Sequence, residues 1–156
     1  MVKVYVDTSV IGGCCDAEFQ EWSLALFDEF NAGTKKIIIS DIISMELLGA
    51  SNEVKSYLNQ VPQSNRILID ANDKALMLAQ TYIDEGALPG KNYQDALHIA
   101  HATLSGADVL ASWNFKHLVN LERIKQYNAI NLKLGLNTVE IRTPREILNV
   151  IEYEES

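Results

Sequence analysis

The chain alternates between short β-rich runs and segments in which apolar residues recur at helical spacing. Residues 2–6 (VKVYV) are rich in β-branched residues and end at Asp7, which predicts a strand. Residues 37–39 (III) form a continuous apolar run, as expected of a strand that is buried on both faces. The predicted strands cover residues 2–6, 37–39, 67–69, 108–112 and 138–141.

The segments between these strands predict helices. In the first of them, aromatic and aliphatic residues lie three or four positions apart, which predicts a helix over residues 18–31. Further helices are predicted at residues 42–48, 53–60, 71–85 and 93–104, over parts of 116–134, and from residue 144 onward. Their predicted capping residues are Ser40, Asp70 with Asp73 at N3, Asn92, and Thr143 with Glu146 at N3.

Strands that alternate with helices predict an α/β domain with a largely parallel sheet and helices on both faces. The 156 residues fit one domain, and 47% hydrophobic with 22% charged residues is typical of a globular protein. In such sheets the ligand site lies beyond the carboxyl ends of the strands. Functional residues are therefore expected directly after a strand or near the start of the following helix.

The net charge of −8 disfavours binding of nucleic acid by charge alone. It favours a carboxylate-lined cation site, or a partner that brings its own positive charge. Part of the excess lies in residues 152–155 (EYEE), for which a solvated tail is predicted. The chain has no apolar run of the ~20 residues that a membrane span needs and no signal-peptide pattern, so a soluble cytoplasmic protein is expected. Cys14 and Cys15, the only cysteines, are adjacent and are expected to be reduced thiols.

Four side chains with oxygen donors lie at positions that suit a site of this kind. Asp7 directly follows the first strand, Asp95 lies in the first turn of the helix that begins at residue 93, and Asn114 follows the fourth strand. Glu46 lies further into its helix, in an otherwise apolar stretch. Three carboxylates in one cleft repel each other unless a cation joins them, and oxygen ligands select Mg²⁺ or Mn²⁺ over zinc. Such a site suits phosphoryl chemistry, because a bound cation neutralises phosphate charge and activates water.

Each of these residues, taken alone, also has a structural interpretation. Asp7 and Asn114 suit turns at the ends of strands, and Asp95 at N3 of its helix favours the helix dipole. Glu46 is compatible with the exposed stripe of its helix. The functional interpretation therefore depends on the joint arrangement rather than on any single residue.

Four stretches, in their order and spacing, resemble the PIN domain, and in particular the VapC-like toxins of bacterial toxin–antitoxin pairs. The stretches are residues 4–10 (VYVDTSV), 40–47 (SDIISMEL), 95–100 (DALHIA) and 106–114 (GADVLASWN). The resemblance implies a single domain over residues 1–156, a three-layer α/β/α sandwich with a five-stranded, mainly parallel sheet. It also implies that Asp7, Glu46 and Asp95 are acidic metal ligands and that the hydroxyl of Thr8 supports the site.

The activity that the resemblance implies is Mg²⁺- or Mn²⁺-dependent endoribonuclease cleavage of RNA, held in check by a bound antitoxin. A homodimer is a further expectation from the family. Where the family often has another aspartate after the fourth strand, this chain has Asn114, which brings no charge. One cation is therefore expected rather than two. Asp108 is a poor substitute for the missing aspartate, because it lies at the opposite end of that strand.

The histidines and lysines near these stretches have weaker assignments. His98 and His101 lie one helical turn apart without an evident third metal ligand, and a structural role is predicted for both. Lys116 and His117 follow the fourth strand and are predicted to support the site by contacting a phosphate. The aromatic side chains on either side of Asn114 are expected to pack in the core, with base stacking as the alternative.

Two other classes of function compete with a nuclease. A non-catalytic PIN-like module that binds RNA or a protein partner is suggested by Asn114 and by the acidic surface, and metal binding would discriminate the two. A phosphatase or receiver domain would also have an aspartate after its first strand. The phosphatase needs a second acid two residues later, where this chain has Ser9, and the receiver needs an acidic pair and a late lysine that the sequence lacks.

Overall fold

The computed structural model describes residues 1–148, in which strands and helices alternate. The strands are β1 (Val2–Val6), β2 (Lys35–Ser40), β3 (Arg66–Ile69), β4 (Val109–Ala111) and β5 (Ile141–Arg142). The helices are α1 (Thr8–Gly13), α2 (Gln20–Ala32), α3 (Asp41–Glu46), α4 (Asn52–Asn59), α5 (Asp73–Asp84), α6 (Tyr93–Leu104) and α7 (Leu121–Lys133), and residues 144–148 are also helical. Short 3₁₀ turns lie at Leu47–Gly49, Gln63–Asn65 and Gly90–Asn92.

The five strands form one parallel sheet in the order β3-β2-β1-β4-β5. β1 is central, and its Val4 aligns with Ile37 of β2 on one side and Val109 of β4 on the other. The chain runs outward from β1 to β3 and then crosses to β4 and β5. Because crossovers between parallel strands are right-handed, the helices before β3 and those after it cover opposite faces. The predicted three-layer α/β architecture is confirmed, and all strands end at the same edge.

Helices cover the central strands on both faces. Val4, Tyr5 and Val6 of β1 are completely buried, and Ile37 and Ile38 of β2 are buried to the same degree. On the helical layers, α1 packs against α2 and α4, and α5 packs against α6. This double burial explains the continuous apolar runs in the sequence, since each fully buried aliphatic side chain contributes about 1.5–3 kcal/mol.

Two helix starts differ from the prediction. Residues 8–13, for which no helix was predicted, form α1, and Asp7 is its N-cap. The helix predicted from residue 71 begins at Asp73, and its cap is Asn72 rather than Asp70. The Asn72 side chain accepts a hydrogen bond from the backbone N–H of Ala75 at 2.9 Å, which fixes this start.

The fifth strand is shorter and later than the predicted residues 138–141. The N–H of Leu110 in β4 donates to the carbonyl of Glu140 at 2.8 Å, so pairing with β4 begins there. Val139 instead exchanges two hydrogen bonds, of 2.7 and 3.1 Å, with the side chain of Asn128 in α7. This side chain occupies the backbone groups that would otherwise extend the strand.

The predicted helix start at Thr143 is confirmed. The N–H of Glu146 donates to Thr143 Oγ1 at 3.2 Å, and the N–H of Thr143 donates to Glu146 Oε1 at 3.2 Å, which is a reciprocal capping box. The predicted continuation of this helix and the acidic residues 152–155 lie outside the described residues.

Two expectations from composition can be compared with the described part of the chain. Cys14 is buried, Cys15 is exposed, and both are free thiols. Within residues 1–148, no helix is both long and apolar enough to cross a membrane.

Candidate active site

Asp7 lies at the carboxyl end of the central strand, where its carboxylate is held by three donors. Ser9 Oγ donates to Oδ1 at 2.6 Å, the N–H of Val10 donates to the same oxygen at 3.3 Å, and Ser112 Oγ donates to Oδ2 at 2.6 Å. The carboxylate is thus both the N-cap of α1 and the acceptor for a hydroxyl that follows β4. Only 5% of the residue is exposed, so this acid has a fixed position in a dry environment.

Glu46, the last residue of α3, reaches His98 of α6. The distance between His98 Nε2 and Glu46 Oε1 is 2.7 Å, and His98 is only 2% exposed. The other ring nitrogen, Nδ1, lies 2.7 Å from the hydroxyl of Tyr5, which in turn lies 2.8 Å from Ser40 Oγ. A carboxylate only accepts, so Nε2 carries a proton. Nδ1 accepts from the Tyr5 O–H when the ring is neutral and donates to the Tyr5 oxygen when the ring is charged. Ser40, Tyr5 and His98 thus form a buried hydrogen-bonded chain that ends on Glu46.

Asp95 and Asn114 meet at the start of α6. Asp95 is half-buried, and Asn114 Nδ2 donates to its Oδ2 at 3.4 Å. Asn114 Oδ1 accepts from the backbone N–H groups of Lys116 and His117 at 3.2 and 3.0 Å. The amide therefore presents its NH₂ group, rather than its oxygen, to the acidic residues.

The three carboxylates are coupled electrostatically through His98. Burial raises the pKa of Asp7, and the charge of His98 opposes this effect more than Ser112 or Ser9 does. Burial also raises the pKa of Asp95, again opposed by His98. For Glu46 burial acts in the same direction, but the hydrogen bond and charge of His98 outweigh it and lower the pKa.

The charge of Glu46 also raises the pKa of Asp95, so the two acids lie within electrostatic reach of each other. His98 thus contacts Glu46 directly and lies within electrostatic reach of Asp7 and Asp95 at the carboxyl edge of the sheet. A raised pKa indicates that burial in a low-dielectric environment destabilises the charged form of an acid. A cation that comes close to the acid stabilises this charged form.

The predicted supporting residues also lie at this edge. The Thr8 hydroxyl helps to lower the pKa of Glu46, and among the described residues its buried Oγ1 has no hydrogen-bond partner of good geometry. His117 is buried, its pKa is lowered by burial and raised by Asp95, and its Nδ1 has no partner in residues 1–148. Lys116 is exposed and lies close enough to His117 to lower its pKa.

The sequence interpretation missed several residues of this site. A structural role was predicted for His98, whereas the structure gives it a direct contact with Glu46 and influence on all three acids. Its position three residues after Asp95 puts both on one face of α6, which was the available signal. The hydroxyls that hold Asp7 belong to Ser9 and Ser112, and only their polar character near strand ends hinted at this role.

The residues fit a divalent cation by their chemistry. Three carboxylates and an unpartnered hydroxyl are oxygen donors of the kind that Mg²⁺ and Mn²⁺ prefer. As the side chains are oriented in residues 1–148, however, no three His, Cys, Asp or Glu residues form a group that could hold a metal ion. The reason is visible in the contacts, because Glu46 bonds to His98 and both oxygens of Asp7 bond to serine hydroxyls.

Comparison with known proteins bears on the fold. No family model matches the sequence, and no curated protein matches it. Among solved structures, 16 chains match. One belongs to DNA-bound VapBC from Salmonella typhimurium, with 19% identity, a TM-score of 0.57, and coverage of 92% of this chain and 99% of that chain. Another belongs to VapBC2 from Rickettsia felis bound to a promoter DNA fragment, with 17% identity, a TM-score of 0.57, and coverage of 91% and 98%. At these identities the likeness establishes the fold, and the PIN-type fold implied by the resemblance is confirmed.

Proposed function

We propose that this chain is a Mg²⁺- or Mn²⁺-dependent endoribonuclease and the toxin of a toxin–antitoxin pair. The observation that carries the proposal is the group formed by Asp7, Glu46 and Asp95 around His98, at the carboxyl edge of a PIN-type sheet. Ligand sites of parallel α/β sheets lie at this edge. The cytoplasm, where RNA is abundant, is the compartment expected for this activity.

Asp7, Glu46 and Asp95 are the residues that would hold the cation. When bound, a divalent cation would neutralise phosphate charge and lower the pKa of a water molecule. Three hydrogen bonds fix the position of Asp7, and Oδ2, which accepts only one of them, keeps a lone pair for a cation. His98 restricts where Glu46 can reach, and Asn114 does the same for Asp95.

Local positive charge supports an RNA substrate in spite of the net charge of −8. Lys91, Lys116 and Arg123 all lie close enough to His117 to lower its pKa, and His117 is itself coupled to Asp95. Phosphates on either side of a scissile bond at Asp95 would therefore meet cations rather than further carboxylates. Lys116, which is exposed, is the best placed of them for direct contact.

Metal-dependent cleavage of RNA by the purified chain tests the proposal. We expect Asp7→Asn and Asp95→Asn each to lose more than the roughly 10–100-fold that follows loss of an outer-shell partner. Asp108→Asn is the matched control, because Asp108 lies at the other end of β4 and its carboxylate accepts from the N–H of Lys3 at 2.7 Å. Equal cleavage by the wild type and the Asp95 variant would refute the proposal.

An antitoxin is proposed as the physiological partner. Two of the solved structures with the same fold are structures of VapBC bound to DNA. A partner segment that places an Arg or Lys beside Asp7 and Asp95 would neutralise the site in place of a cation. A complex whose acidic residues stay accessible to Mn²⁺ would contradict this mode of inhibition. The predicted homodimer is a separate point, and the mass of the free chain in solution would test it.

A non-catalytic PIN-like module is the second candidate. It is favoured by the engagement of Glu46 with His98 and by the lack of a preformed ligand group in the described part of the chain. Isothermal titration with Mn²⁺ separates the two functions. Measurable binding that is lost in Asp7→Asn supports the nuclease, and no heat of binding in the wild type supports the module.

A further inference from the structure

A cleft of about 420 Å³ adjoins the candidate active site and is lined mainly by aromatic rings. We call it the aromatic cleft and define it by Phe19, Trp22, Trp113, Phe115 and Arg145. It is distinct from the acidic group, none of whose carboxylates lines it. Its walls come from α2 and the turn that precedes it, from the segment after β4, and from the helical residues after β5.

The walls of the aromatic cleft are rigid. Trp113 stacks on Phe19 with ring centroids 4.3 Å apart and an angle of 16° between the rings. Its Nε1–H donates to Ser23 Oγ at 2.9 Å, and only 8% of the residue is exposed. Trp113 thus has the core position that was expected of it, and it provides a fixed floor.

Phe115 is different, because 53% of it is exposed. Its ring centroid lies 6.3 Å from that of Phe19 and 6.4 Å from that of Trp113, with tilted geometry in both cases. Because half of its surface stays in water, a ring at the rim of a cleft contributes little free energy of burial to the fold. Its accessible face is available to a second flat ring.

The aromatic cleft is continuous with the acidic site. Trp113 and Phe115 flank Asn114, whose Nδ2 donates to Asp95 at 3.4 Å. The N–H of Trp113 donates to Ser9 Oγ at 2.9 Å, and the same hydroxyl donates to Asp7. A polymer chain that reaches the carboxylates would therefore place its next unit over the cleft.

The charged residues that line the cleft are one cation, Arg145, and two carboxylates, Glu18 and Glu146. The guanidinium of Arg145 lies 5.1 Å from the centroid of a Trp22 ring, and its side chain is exposed. Glu146, which also lines the cleft, is held at 3.2 Å by Arg142. Arginine on an aromatic face can stack on a base or bind a phosphate.

We propose that the aromatic cleft binds a nucleobase of single-stranded RNA next to the scissile phosphate, with the base stacked on Phe115 and Arg145 on the backbone. This inference rests on the proposed nuclease function and names the form of its substrate. The bases of a duplex are already stacked and cannot reach Phe115, so single strands are preferred. An apolar segment of a protein partner would require a deep apolar pocket, whereas this cleft offers a flat ring beside a cation.

Binding of short single-stranded oligoadenylate, measured by fluorescence anisotropy with the full chain in EDTA, tests the inference. Phe115→Ala should weaken binding roughly 5- to 150-fold, the range that corresponds to one lost base–aromatic stack. Phe115→Trp and Phe115→Tyr should bind like the wild type, and Phe115→Leu should resemble the alanine variant because it keeps apolar bulk without a π face. Leu132→Ala, at a residue that is 64% exposed in α7 and outside the cleft, is the matched control.

The position of the base can be found by placing one abasic site at each position of the oligonucleotide. At one position the abasic site should strongly lower the affinity of the wild type for the oligonucleotide and should leave the affinity of Phe115→Ala unchanged. Wild-type affinity for the oligonucleotide in both Phe115→Ala and Phe115→Leu would overturn the inference. It would also be overturned if these variants bound RNA like the wild type but no longer bound a protein partner. Metal-dependent cleavage by the wild type is measured separately, so that a failed cleft and a failed nuclease assignment are told apart.

Discussion

Replacing Asp7 with asparagine should leave the metal-free protein at least as stable as the wild type. The asparagine Oδ1 can still accept from Ser9 Oγ and from the N–H of Val10, which donate to Asp7 Oδ1 at 2.6 and 3.3 Å. The new NH₂ group faces the Ser112 hydroxyl, which already accepts from the N–H of Asn114 at 2.9 Å and has a second lone pair. Aspartate and asparagine are about equally good N-caps, so α1 keeps its start.

The magnitude follows from what each substitution removes. Asp7→Asn removes a charge from a side chain that is only 5% exposed and keeps two of its hydrogen bonds, while the one with Ser112 is reversed so that the amide NH₂ donates to Ser112 Oγ. Asp7→Ala also removes the cap, which costs about 0.5–2 kcal/mol at helix starts. We therefore expect the free energy of unfolding to be about 1–2 kcal/mol lower for the alanine variant than for the asparagine variant.

The difference between wild type and Asp7→Asn should depend on pH in a defined direction. Burial raises the pKa of Asp7 above its unfolded value of about 4, so the folded protein holds this proton more tightly than the unfolded chain. The stabilisation by protonated Asp7 is complete below the unfolded pKa and is lost as the pH rises through the folded pKa. The advantage of Asp7→Asn should grow over that window and stay constant above it.

Urea denaturation in EDTA over a series of pH values measures this difference. Saturating Mg²⁺ should then reverse the order, because a ligand at 100 times its dissociation constant adds about 2.7 kcal/mol to the protein that binds it. An asparagine variant that is less stable than wild type in EDTA by the same amount at all pH values would refute the reasoning, since the buried charge would then carry no cost.

Two further substitutions test the packing around the site. Gly13→Ala should destabilise the protein by about 1–3 kcal/mol in thermal denaturation, because the added Cβ would lie 2.5 Å from Ser23 Oγ. The control Gly12→Ala, whose Cβ would have no atom within 4 Å in the described structure, should be neutral or slightly stabilising. Equal melting temperatures of the two variants would contradict this. Tyr5→Phe should lower the affinity for Mn²⁺ roughly 10–100-fold in isothermal titration, because it removes the hydroxyl that orients His98, and an unchanged affinity would show that this bond has no influence on the site.

The sheet could be predicted from the sequence because its strands are buried on both faces. Ile37 and its neighbours are apolar without interruption, and such a run has few alternatives between two helical segments. The strands at residues 2–6 and 67–69 were also predicted close to their observed bounds, although β3 lies at the edge of the sheet and Leu68 is 74% exposed. The bounds of β5, which is short and lies at the edge, could not be predicted from local sequence, because a side chain of α7 decides where pairing begins.

Helix α1 could not be predicted from local propensity. Its six residues, TSVIGG, include two glycines and three β-branched side chains, all poor helix formers. The helix forms because Val10 and Ile11 are buried and Asp7 caps it. Gly13 is required there by the close approach of Ser23 and Trp113, which is a tertiary contact.

The candidate site was only partly visible in the sequence. The three carboxylates could be nominated from their positions after strands and at helix starts, since topology brings these positions to one edge. Nothing local to Glu46 indicated that its carboxylate would bond to a histidine 52 positions further on. Contacts of this kind depend on how α3 and α6 approach each other, which periodicity does not encode.

The order of the strands has a consequence for synthesis of the chain. Asp7 directly follows the first strand of the sequence, but the serine that completes its environment follows β4, 105 residues later. In a nascent chain, Asp7 and Asp95 therefore lie on segments that cannot pack together until most of the protein has left the ribosome. We therefore expect the proposed ribonuclease activity to appear only after the segment that contains Ser112 has emerged and packed against β1.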